Sequence, residues 1–300
     1  MANVLKELVG KKALRSRPQK FVYESTGYLT IMGSTAYAVN ETNSDHDVYG
    51  WFMPPKSYVF PHLAGNIQGF GRAPQSYDDW QEHHIQHPDK DREYDFSMYS
   101  IVKYFQLCMG CNPNMIDSLF TPERCVLFTT AAGRYMKDNR LKFLHKGAWN
   151  TYRGYAYGQI KKIKNKKPTG KRIALVEKFG YDTKDAYHIV RLILQAEQIM
   201  AECDLDLERN AAILRSIRQG EWTFAKIEDY FDTKTKSLET VYANSKLRPV
   251  ADEDMIKGLL LECLEMHYGN LASAVVDEKG ATRALREISE ILAKNSALLI

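Results

Sequence analysis

The sequence predicts an α+β fold, with a strand-bearing domain at residues 1–125 followed by an all-α domain at residues 126–300. Short apolar or alternating runs separated by turn residues occupy the first hundred positions. From Ser97 onward the apolar spacing changes to a helical period. At 300 residues the chain is also long for a single core, which favours two domains.

The elements follow in order. Tyr28 to Met32 (YLTIM) is a short apolar run ending at Gly33-Ser34. Asp45 to Phe52 (DHDVYGWF) has strand periodicity, with Asp45, Asp47 and Tyr49 alternating with His46, Val48 and Gly50. Residues 53–80 are rich in Pro, Gly and aromatics and read as a long loop with a short strand at 58–60. Glu82 to His87 and Arg92 to Phe96 read as two further strands around the turn-forming HPDKD. The stretch MYSIVKYFQLCM then puts Met98, Ile101, Val102, Phe105 and Met109 on one helical stripe. Asn112-Pro113 is a helix start, with Asn as N-cap and Pro at the first helical position. Further helices are expected at 126–137, 146–165, 183–203, 222–245, 252–268 and 281–298.

The hydrophobic fraction of 44% and charged fraction of 26% are ordinary for a globular protein. No run of eighteen apolar residues exists, and MANVLKELVGKKALR lacks the apolar core of a signal peptide. A cytoplasmic location is expected, with no membrane contact. Five cysteines, odd in number and scattered, suit a reducing compartment. Cys108 and Cys111 form a C-x-x-C, but no second pair follows at zinc-site spacing, so helix packing is expected. The net charge of +4 decides little, whereas its distribution does more. Residues 161–172 (KKIKNKKPTGKR) carry seven Lys or Arg in twelve positions, and KKALRSRPQK lies at 11–20. Such clusters attract polyanions. Arg153 and Lys161 share a helical face with Tyr157 and lead into Lys162, Lys164, Lys166 and Lys167, a candidate nucleic-acid track.

The chemistry concentrates in Ile31-Met32-Gly33-Ser34 and, eleven residues on, Asp45-His46-Asp47. A strand running into Gly-Ser and a helix leaves backbone N–H groups free. Glycine lets a phosphate approach closely, and the hydroxyl adds a donor. Residues i and i+2 of a strand point to one face, so Asp45 and Asp47 converge. Two hard anionic ligands suit Mg²⁺ held jointly with substrate phosphates, and two such ions clamp the oxygens of an in-line phosphoryl displacement. On a later strand Glu93 and Asp95 again share a face. On the helix at 183–199, Lys184, His188 and Arg191 form one polar stripe able to bind a triphosphate or an RNA backbone. His83, His84 and His87 would hold a metal if helical. In a strand, His83 and His87 sit too far apart to share one ion.

The Gly-Ser and Asp-x-Asp pair resembles the nucleotidyltransferase signature of the DNA polymerase β superfamily. That resemblance implies a third carboxylate that binds the catalytic metal and draws a proton from the attacking hydroxyl, with Asp95 the first choice and Glu93 the alternative. The stretches YSIVKYFQLCMGCNPNMIDSLF (99–120) and GYDTKDAYHIVRLILQAEQI (180–199) resemble the RNA-ligase-associated nucleotidyltransferase family of bacteria and phages. The likeness runs from about residue 28 to about residue 250. Two departures are Asp117 in place of Glu and Ala38 in place of a Gly after Tyr37. The resemblance implies transfer of a nucleoside monophosphate from an NTP to a hydroxyl, with an RNA 3′ end as acceptor for repair or tailing. Asp45, Asp47 and Asp95 would hold two Mg²⁺, with Mn²⁺ as substitute. Gly33, Ser34, Lys184, His188 and Arg191 would bind the nucleotide. Transfer to a protein or small molecule, and a catalytically idle RNA-binding module, are the rival readings.

Overall fold

The computed structural model describes residues 3–40, 45–67, 71, 77–165, 167–170, 172–271, 284–285 and 287–292. Ser44, Lys166 and most of the helix expected at 281–298 therefore lie outside the described residues. The chain opens with two short helices, α1 (Val4–Gly10) and α2 (Lys20–Glu24), the first capped by the Asn3 side chain. Next come β1 (Thr26–Ile31), the single turn α3 (Gly33–Ala36), β2 (His46–Phe52) and the turn α4 (Lys56–Val59). The strand expected at 58–60 is thus replaced in part by helix, because Pro55 presets the helical entry and Phe60 N–H closes on Lys56 O at 2.7 Å.

The antiparallel neighbours β3 (Asp79–Gln86) and β4 (Glu93–Ser100) follow. Four residues, Ser97 to Ser100, stay in β4, although their spacing fits a helix. They pair with Tyr49 to Phe52 of β2, and this ladder overrides the local period. Ser100 then caps α5 (Ile101–Met109) by accepting from Lys103 N–H, and Asn112 caps α6 (Pro113–Phe120) with Pro at the first position. The helix expected from residue 126 begins later. Val126–Thr129 forms β5, an edge strand on β1, and Thr130 caps α7 (Ala131–Asp138). A boundary at residue 125 would cut this pairing.

The remainder is helical: α8 (Gly147–Asn165), α9 (Arg172–Phe179), α10 (Thr183–Glu202), α11 (Ala211–Arg218), α12 (Phe224–Asn244) and α13 (Glu253–Tyr268). None of the described helices is long and apolar enough to cross a membrane. The sheet order is β3-β4-β2-β1-β5, antiparallel except for β2 beside β4.

Strand alternation divides the two faces of this sheet. Leu29, Val48, Phe52, Phe96 and Met98 pack with α1 and α2. Tyr28 and Trp51 point the other way, into a larger core shared with α5 to α8 and α10 to α13. Since Val48 and Phe96 face the first layer, Asp47 and Asp95 face the helical layer. Cys108 and Cys111 are fully buried in the larger core, in keeping with helix packing.

Candidate active site

β1 runs antiparallel to β2, so its end meets the start of β2. Ile31 lies opposite Val48, and Met32 N–H donates to Asp47 O at 2.7 Å. This delivers Gly33 directly beneath the Asp47 side chain. Gly33 has φ +64°, and a Cβ there would stand 2.2 Å from Asp47 Oδ2. Glycine is required twice, once for the left-handed backbone and once for the space.

β2 and β4 are parallel and in register, and Asp47 pairs with Asp95. Asp45 immediately precedes β2. Burial pushes the Asp47 carboxyl pKa up, and the neighbouring Asp95 and Asp45 charges add to the rise. Lys184 and His83 oppose it. The site is therefore an under-compensated anionic cluster, and the Lys184 ammonium is the fixed positive charge that offsets part of it at Asp47.

The α3 turn is held from the helical side by contacts that sequence patterning missed. Tyr37, directly after α3, donates its hydroxyl to Asp117 Oδ2 at 2.6 Å. Arg191 donates to the same carboxylate oxygen at 2.5 Å and also contacts the Tyr37 hydroxyl, with its guanidinium 4.4 Å from the Tyr37 ring centre. Gln195 Nε2 completes the shell of Asp117 at 3.1 Å. Arg215 donates to Ala38 O at 2.9 and 3.0 Å, Arg218 to Val39 O at 2.6 Å, and Arg124 to Thr35 O at 3.1 Å. Three guanidinium groups thus cover carbonyls at the C-terminal end of this turn, where the backbone dipole is negative.

α10 splits the residues assigned to it. Asp182 caps its start by accepting from the N–H groups of Lys184 and Asp185. Lys184 is exposed and acts electrostatically on Asp47. His188, one turn on, is half-buried. Its pKa is held well below the usual value by burial and by Arg191, Arg172, Lys184 and Lys162 around it, so it is neutral at physiological pH. Arg191 does not share the Lys184 surface, because it is 5% exposed and ion-paired to Asp117 inside the core. Tyr187 is buried as well, so its ring packs in the core and is not free to stack on a base.

The basic segment is only partly a free charged surface. Arg153 pairs with Glu239 and lies over the Trp149 ring. Lys162 pairs with Asp185, and Lys164 with Glu228. Lys161 lies over the exposed Tyr157 ring, and Lys167 is exposed. Lys162, Lys164, Lys167 and Arg172 rim a cavity of about 470 Å³ floored by Ile163, Val176, Tyr181 and Phe224.

The histidine cluster differs from a regular strand. The register of β3 on β4 slips between Glu82 and Ile85, and His84 has φ +58°. This bulge brings both His83 and His84 to Asp95, whereas strict alternation would separate them. His87 instead faces α1, with Nε2 3.1 Å from Glu7 Oε1.

The model of the RNA repair pathway DNA polymerase beta family matches residues 12–245. The chain belongs to that family. It is accordingly a nucleotidyltransferase of the polymerase β type, associated with RNA repair. A nucleotidyltransferase-like protein from Exiguobacterium sibiricum is similar at 9% identity and a TM-score of 0.29, over 94% of this chain and 78% of that one. No curated protein matches.

Nucleotidyltransferases of this superfamily generally use divalent metals, and the residues here fit such ions. Asp47 and Asp95 are in register, Asp45 adjoins them, and burial together with the Asp95 and Asp45 charges raises the Asp47 pKa. Hard oxygen donors with excess negative charge are what Mg²⁺ or Mn²⁺ requires.

Proposed function

We propose that this member of the RNA repair family transfers a nucleoside monophosphate from an NTP to the 3′-hydroxyl of an RNA. The observation that carries this reading is the in-register pair Asp47 and Asp95 with Gly33 packed beneath Asp47. Asp45, Asp47 and Asp95 are the residues that would hold two Mg²⁺, or Mn²⁺ in their place. When bound, the ions supply Lewis-acid stabilisation of charge on the attacking and leaving oxygens.

The chain's own groups do the rest. The Gly33 backbone and the Ser34 hydroxyl receive the phosphates, and Lys184 neutralises the charge that accumulates on pyrophosphate. Asp95 accepts the proton of the 3′-hydroxyl as its oxygen attacks the α-phosphorus and the bond to pyrophosphate breaks. His188, neutral, offers a hydrogen bond instead of a charge. Arg191 acts through Tyr37 and Asp117, fixing the turn that carries Gly33. Lys161 and Lys167, the second of which lines the cavity, offer the surface for the RNA backbone.

The test is extension of a labelled RNA by each NTP in Mg²⁺. Growth of the RNA by nucleotides from a blocked-free 3′ end supports the reading. Labelling of the protein or of a small acceptor, with the RNA unchanged, would replace it by one of the rivals.

A further inference from the structure

We propose that His84, Glu93 and Asp95 form a cation site of their own beside Asp47, taking a divalent ion of the manganese-to-zinc series in preference to Mg²⁺. The inference depends on the proposed function only in sharing Asp95.

The strand bulge is the origin of the site. β3 and β4 pair regularly on either side, at Glu82 with Phe96 and at Ile85 with Tyr94. The extra residue at His83-His84 and the left-handed His84 backbone leave the His84 ring alongside the carboxylates. One ligand atom from each of His84, Glu93 and Asp95 lies within 4.8 Å of the other two, a spread that one ion can bridge. His84 Nδ1 already stands 2.5 Å from Glu93 Oε1.

Each carboxylate is oriented from outside by one oxygen. Gln86 Nε2 donates to Glu93 Oε2 at 2.6 Å, and the His84 backbone N–H donates to Asp95 Oδ1 at 2.7 Å. The opposite oxygens, Glu93 Oε1 and Asp95 Oδ2, are turned towards the two imidazoles, with His83 Nδ1 3.6 Å from Asp95 Oδ2. Fixing one oxygen so that the other can ligate is the usual task of groups around a metal centre. The His84 side chain is 67% exposed, so water can complete the coordination shell.

Ligand chemistry then sets the preference. A nitrogen donor with two carboxylates favours Mn²⁺, Co²⁺ or Zn²⁺, while Mg²⁺ selects oxygen alone. Asp45 and Asp47 offer only oxygen. The two halves of the site therefore differ in the ions they suit, with Asp95 common to both.

The test is titration of the metal-free full chain with Co²⁺, read by its visible absorption, and with Mn²⁺, read by electron paramagnetic resonance with nitrogen modulation. Neither readout requires turnover. The expected result is a bound ion with an imidazole-nitrogen signature that a hundredfold excess of Mg²⁺ does not displace. His84→Gln should lose the nitrogen signature and weaken Co²⁺ binding at least tenfold, with an unchanged circular dichroism spectrum because the ring is exposed. Asp45→Asn should keep it. Equal Co²⁺ binding by His84→Gln, or full displacement by Mg²⁺, would overturn the proposal. Loss of RNA extension in Mg²⁺ with the nitrogen signature intact would instead sink the proposed function and leave this site standing.

Discussion

Asp47 and Asp95 lie opposite each other in the parallel β2 and β4 strands, and the Asp95 charge adds to the burial that disfavours the ionised form of Asp47. The arrangement makes the folded, metal-free protein carry a carboxylate whose ionised form is disfavoured. Asp47→Asn should therefore leave the metal-free protein as stable as the parent or slightly more so, by up to about 1 kcal/mol. Urea unfolding in chelator checks this. A loss of several kcal/mol would mean that the carboxylate holds the fold together.

Gly33→Ala meets two obstacles, the positive φ and the Asp47 carboxylate in the space of the new methyl group. A cost of about 1–3 kcal/mol in stability is expected from the backbone alone. Displacement of Asp47 should cut kcat as well, so steady-state kinetics should show a loss larger than the drop in the folded fraction.

Arg191 separates a phosphate-binding role from a positioning role. Removal of one partner from its buried pair with Asp117 should destabilise by about 3–5 kcal/mol, which direct contact with a solvent-facing phosphate would not do. Tyr37→Phe is the milder probe. It keeps the ring under Arg191 but deletes the hydroxyl held by Asp117. Its effect should appear mainly in kcat, with nucleotide KM changing less, and thermal unfolding should show a smaller loss than Arg191→Ala.

These cases also mark what could be read from the chain. Gly33-Ser34, the Asp45-x-Asp47 spacing and the Asn112-Pro113 cap are local signals, and each is a property of a few adjacent residues. The helical half was legible for the same reason, through apolar period and caps. The parallel pairing that sets Asp95 against Asp47 spans the β3 excursion, and no local pattern encodes its register. The Arg191–Asp117 pair joins residues 74 apart, so Arg191 looked like part of the Lys184 stripe. β5 was read as the first turn of a helix because its three apolar residues, Val126, Leu127 and Phe128, carry no distinguishing period. The bulge at His83-His84 is invisible to a rule of strict alternation.

Lys137 gives a pH prediction. Burial lowers its pKa to about 8 from the usual 10.5. Its ammonium donates to Thr121 O and, at 3.3 Å, to Leu119 O. Between those two values the unfolded chain holds more of the proton than the folded one, so stability rises with pH across that window. Below pH 8 both states are protonated and the penalty is fully present. Relative to Lys137→Met, the parent should gain unfolding free energy between about pH 7 and about pH 10. Parallel curves for the two proteins would contradict this.

The basic segment separates by partner. Lys161→Ala with Lys167→Ala should weaken RNA binding and lower the slope of log affinity against log salt by about 1–2. Lys162→Ala should act on stability, because Asp185 is buried and loses one of its two cations. Fluorescence anisotropy over a salt series distinguishes the two.

The most direct test of the central claim compares nucleotide transfer to an RNA 3′ end by the parent protein, Asp47→Asn and Asp95→Asn in Mg²⁺, each confirmed folded. The parent should extend the RNA and release pyrophosphate, and each variant should fall by about a thousandfold or more. Extension that survives both substitutions would contradict the assignment of these two carboxylates as the catalytic centre.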